Sequence, residues 1–102
     1  MEIIKLTTEL IADELCDAEK YAKLANTWKT ECPDAAKVFS DLANAEVEHQ
    51  NRLHTLVVKL IDKARAEKGD PPKEMMAVYN YLHEKNIEKA AAVMAYIRLY
   101  SA

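Results

Sequence analysis

The stretch Leu42-Ala43-Asn44-Ala45-Glu46-Val47-Glu48-His49-Gln50-Asn51-Arg52-Leu53 decides the reading of this chain. Glu46 and His49 stand three residues apart within a helical run from about Pro33 to Lys68. At 3.6 residues per turn they lie about 60° apart around the axis and one turn along it, so a carboxylate and an imidazole project together, as two ligands of one metal ion must. Phe39, Leu42, Ala43, Leu53, Leu56 and Leu60 recur on the same face. The pair is therefore expected on a buried apolar stripe. A carboxylate there costs several kcal/mol unless it is paired, neutralised or bound to a cation.

Working outward, the preceding helix is expected from about Thr7 or Thr8, either of which can cap it, to Thr30, with Ile3, Ile4 and Leu6 leading in. Its inward stripe reads Leu10, Glu14, Ala18, Tyr21, Ala25 and Trp28, with Asp17 on its flank. Thr30-Glu31-Cys32-Pro33 is the turn, because proline suits a helix's first position, and Asp34 meets the positive end of the next helix's dipole. Gly69 is expected to stop that helix in the left-handed conformation, with Lys63, Arg65 and Lys68 complementing the dipole. Asp70 should cap a third helix, with proline in its first turn, running from about Pro72 to Tyr100. Its apolar positions, from Met75, Met76, Tyr79 and Leu82 through Ile87, Ala90 and Val93 to Met94, Ile97 and Tyr100, are broad enough to be covered on two sides, by the chain's own hairpin and by another subunit.

With 102 residues, half of them apolar, and with one Gly and three Pro outside the periodic runs, the chain reads as one all-α domain spanning residues 1–102. A formal charge of −3 and no basic cluster argue against nucleic acid and anionic membrane as partners. The longest apolar run, from Ala90 to Ile97, is far short of a membrane span, and the N-terminal residues Glu2 and Lys5 interrupt any signal-peptide core, so a cytoplasmic location is expected. Cys16 and Cys32 form no C-x-x-C knuckle, and are expected as a small buried residue and a loop residue.

The short turn makes the first two helices an antiparallel hairpin, in which residues equally far from the bend face one another. Taking residue 31 as pivot, Glu14 lies 17 residues before it, and Glu46 and His49 lie 15 and 18 after it. At about 1.5 Å per residue all three fall within one turn of the same level. A lone E-x-x-H in a Glu-rich helix is common without a metal. What singles this one out is a second inward acid at its level, Glu14 or, on the flank, Asp17.

Glu14-Leu-Cys-Asp-Ala-Glu-Lys-Tyr21 resembles the first ligand helix of rubrerythrin-like members of the ferritin-like superfamily, in which a ligating Glu precedes a Tyr by seven residues. The Leu42–Leu53 stretch resembles the second ligand helix, where E-x-x-H is followed by a basic and an apolar residue. The resemblance covers about residues 7–60 and favours Glu14 over Asp17. It implies a ferritin-like four-helix bundle completed by dimerisation, because one chain holds a single ligand hairpin where long rubrerythrins hold two. The chain also departs from them in lacking a four-cysteine rubredoxin domain, and its C-terminus does not look like an encapsulin-targeting tail.

The resemblance further implies a di-iron, or di-manganese, carboxylate site of two ions per homodimer or larger even assembly, with Glu46 bridging and Glu14 and His49 terminal. Zn could occupy such a site without being native to it. The implied chemistry is ferroxidase or peroxide reduction, with O2 or peroxide as small-molecule partner. Tyr21 would then serve as a catalytic residue, by hydrogen-bonding a ligand or acting as a local electron source; a core aromatic with a satisfied hydroxyl is the plainer reading. The competing class is a non-catalytic interaction or scaffold module on the same hairpin, with the acids held by His49, Arg52 or protonation. His54, about 140° round from His49, is expected at the surface or rim. His83 is expected to be packed and hydrogen-bonded, and Met75, Met76 and Met94 to be core filler or interface.

Overall fold

Unbroken runs of strong helix formers fold as α1 (Glu2–Trp28), α2 (Pro33–Lys68) and α3 (Lys73–Ser101), with no strand among residues 2–102, which a computed structural model describes. The all-α expectation holds. The 36 residues of α2 set the long axis of a rod measuring 55 × 19 × 18 Å. No helix among the described residues is long and apolar enough to cross a membrane.

The turn between α1 and α2 is closed by the Cys32 amide donating to Trp28 O, and Pro33 starts α2 with Asp34 in its first turn. α1 and α2 run antiparallel. α3 lies parallel to α1 in a constant register: Lys89 Nζ donates to Glu19 Oε1 at 3.1 Å, Asn26 Nδ2 to Tyr96 O at 2.9 Å, and Lys29 Nζ to Tyr100 O at 2.6 Å. The Lys89 ammonium holds the Glu19 carboxyl below its ordinary range. Lys29 also reaches Ala102 O at 3.1 Å, so an ammonium caps the negative end of α3. α3 rests mainly on α1 and touches α2 only sparsely.

The apolar centre is Ile11, Leu15 and Val57, with Ile4, Leu53, Ile61, Tyr79 and Ala90 packed around them. Toward the α1–α2 turn the buried positions become alanines, Ala18, Ala22 and Ala25 against Ala36 and Ala43. Small side chains there let the backbones approach closely.

Several helix ends differ from expectation. α1 begins at Glu2, and Thr7 and Thr8 are interior residues, not caps. Their hydroxyls donate to Ile3 O at 2.6 Å and Ile4 O at 2.8 Å, which lets both residues be buried. Gly69 takes a positive φ of 79°, but with ψ at −169° it is extended rather than left-handed helical. Its amide closes α2 on Arg65 O at 2.9 Å. Asp70 does not cap α3: Pro72 occupies the cap position, while Asp70 pairs with Arg65 Nε at 3.8 Å. Cys16 is exposed, not buried, because it follows Leu15 by one residue and so faces about 100° away from the core.

Candidate metal centre

α1 supplies Glu14 and α2 supplies Glu46 and His49, and the antiparallel hairpin brings the three together midway along the rod. One ligating atom from each lies within 4.8 Å of the others. His49 Nδ1 is 3.5 Å from Glu14 Oε2 and 3.7 Å from Glu46 Oε1. Those gaps are too long for strong hydrogen bonds. Ligand atoms on one ion, each bound at about 2.0–2.2 Å, lie roughly 3 Å apart, so small side-chain movements close this set on a metal.

The electrostatics of the cluster are frustrated without a cation. Glu14 Oε2 is buried and has no hydrogen-bond partner among the described residues. The Glu46 carboxyl is pushed up to about 7, first by the Glu14 carboxyl beside it, which favours the protonated form, then by burial and the Glu14 charge, with Asp17 adding to the shift and His49 opposing it. Two carboxyls that cannot both ionise comfortably, beside an imidazole, form a donor set that fits a hard or borderline divalent cation.

The cluster is more open than its apolar neighbours suggest. The Glu46 side chain is 19% exposed, but that of His49 is 51% exposed. The stripe that packs inside is Ala36, Ala43, Val57 and Ala64. Leu42, His49 and Leu56 form the adjacent column, one residue earlier, and it faces outward. Leu10 and Trp28 of the expected α1 stripe are likewise exposed. His49, Arg52, Leu53 and Leu56 line an open groove with Glu14 at its floor.

Asp17, the rival on α1, is exposed and reaches the cluster only through its field on Glu46. Tyr21 stacks on Phe39, with centroids 6.5 Å apart, under the Lys20 ammonium. Its Cα lies roughly 10 Å along α1 from that of Glu14, seven residues at the helical rise. His54 and His83 were missed as a pair: their rings lie parallel across α2 and α3 with centroids 5.3 Å apart. The signal was available, since about residue 70 as pivot puts them 16 residues before and 13 after the second turn.

A helical hairpin bringing two glutamates and a histidine together is a helical-bundle protein with a candidate carboxylate–histidine metal site. The rubrerythrin family model matches residues 8–98, and the chain belongs to that family, a ferritin-like one whose members typically bind iron. No curated protein and no solved structure matches the chain significantly.

Proposed function

We propose that Glu14, Glu46 and His49 are half of a di-iron or di-manganese carboxylate centre, and that a second copy of the chain supplies the same three residues across a two-fold axis. The observation that carries this reading is the buried, unpartnered Glu14 Oε2 beside Glu46 and His49, a donor set that a cation would satisfy. The exposure of Leu10 (40%), Leu42 (37%) and Leu56 (42%) around the cluster supports the two-fold pairing, because a second hairpin laid there would cover apolar side chains and the His49 ring together.

In this arrangement Glu46 would lose its proton and be the shared ligand, and Glu14 and His49 would be the terminal ones. Nδ1 is the histidine nitrogen that faces the carboxylates. Iron held by these residues would supply electrons to O2 or peroxide, so the activity proposed is ferroxidase or peroxide reduction, serving iron handling or oxidant defence. Leu53 and Leu56 keep the groove apolar on the imidazole side, and Arg52 offers a cation at its edge for an incoming peroxide or a released anion. Tyr21, stacked on Phe39 on the turn-ward side of the cluster, would serve as a local electron source.

Glu46→Ala is expected to abolish stoichiometric Fe(II) binding under anaerobic conditions, and with it Fe(II)-dependent consumption of O2 or peroxide. Unchanged iron content in that variant would refute the assignment.

A further inference from the structure

A second set of ligating side chains meets where α2 and α3 pass each other, away from the acid cluster. The His54 ring of α2 and the His83 ring of α3 have centroids 5.3 Å apart and planes 16° apart. Tyr79 lies against the other side of His83, at 5.8 Å and 8°. The two imidazoles line a cavity of about 200 Å³ together with the amides of Gln50, Asn51 and Asn86.

We propose that this cavity binds a late first-row divalent ion, of the zinc, nickel or copper kind, through His54 and His83, tying α2 to α3. The donor chemistry is opposite to that of the first cluster. No carboxylate lines the cavity. A set of imidazole nitrogens with amide oxygens selects against hard ions and for the nitrogen-seeking end of the series. The spacing fits: an imidazole ligated at about 2.0–2.1 Å puts its ring centre roughly 3 Å from the metal, so two rings at a tetrahedral angle have centres roughly 5 Å apart. Because the planes are nearly parallel without metal, one ring turns about its Cβ–Cγ bond on binding, a torsion with a broad, shallow profile. Packing against Tyr79 restrains His83, so His54 is the ring that turns.

The amide of Asn86 completes the shell directly or through water, while the Asn51 Oδ1 accepts from Gln50 Nε2; the cavity has room for several waters. The mechanical consequence follows from the sparse direct contact between α2 and α3. A metal held from both helices stabilises the docked position of α3, because it binds the folded chain and not the unfolded one.

The test uses His49→Ala protein, in which the first cluster has lost its imidazole, titrated calorimetrically with NiCl2. One Ni2+ per chain with a rise in Tm is expected. His49→Ala/His54→Gln and His49→Ala/His83→Gln should each bind at least tenfold more weakly and lose the Tm rise. Equal Ni2+ binding in all three proteins, or none in His49→Ala, overturns the proposal. A second measurement needs no substitution at the pair: Zn2+ added to His49→Ala protein should shift the ring 15N resonances of His54 and His83 together, and resonances that stay in place overturn it equally.

Discussion

Glu46 is expected to give the metal-free protein an unusual pH dependence. Its carboxyl is held near 7 in the folded chain against 4.5 as the ordinary value, so the folded state binds the extra proton between those limits. Stability therefore falls as pH rises from about 5 to about 7.5, opposite to the usual behaviour of a paired carboxylate. Denaturant midpoints in the presence of a chelator should show this decline, and Glu46→Gln should flatten it. At this scale the sequence speaks clearly about identity and level: two acids and a histidine at nearly equal distances from one turn belong together on spacing alone. It spoke less clearly about exposure. Leu42 and Ala43 are both apolar and sit in adjacent columns, and only the packing of α1 and α3 decides that Ala43 goes inside while Leu42 and His49 face out.

Helix interiors and helix ends were legible to different degrees. The 3.6-residue period marks three long helices, and their spans agree with the structure apart from their termini. The ends went astray where something other than the local side chain satisfies the terminal groups. Thr7 and Thr8 look like caps, but their hydroxyls bond back into α1, and Asp70 looks like a cap but turns to Arg65. Gly69 has a positive φ of 79° with an extended ψ, a region open to little but glycine, so although open space surrounds the position, Gly69→Ala should cost about 1–3 kcal/mol in thermal or denaturant unfolding. Leu15, 1% exposed at the crossing of α1 with α2, should cost about 2–5 kcal/mol when replaced by alanine. Asn26 donates to both Ala22 O and Tyr96 O, so Asn26→Ala should destabilise by about 1 kcal/mol and speed hydrogen exchange toward the end of α3.

Across the whole molecule, the rod carries its core on one side of the hairpin and the Glu14–Glu46–His49 cluster on the other. α3 fills the first side, while the stripe of Leu10, Leu42, His49 and Leu56 stays open. The broad apolar face read on α3 is only partly used: Val93 is buried, but Ile87 and Met94 remain exposed. Which side a second copy would cover on the proposed pairing is not written in the periodicity, since both faces are apolar; the Glu14–Glu46–His49 cluster is what distinguishes them. On the proposed pairing, Leu42→Glu and Leu56→Glu should each leave the helices intact by circular dichroism yet shift the protein to monomer in light scattering, with loss of bound iron. The most direct test of the shared centre is native mass spectrometry after anaerobic loading with Fe(II), on wild-type and His49→Ala protein. A dimer carrying two irons, both lost in His49→Ala, is the predicted result. A well-folded monomer that holds its iron, or a dimer that takes up none, would contradict the account.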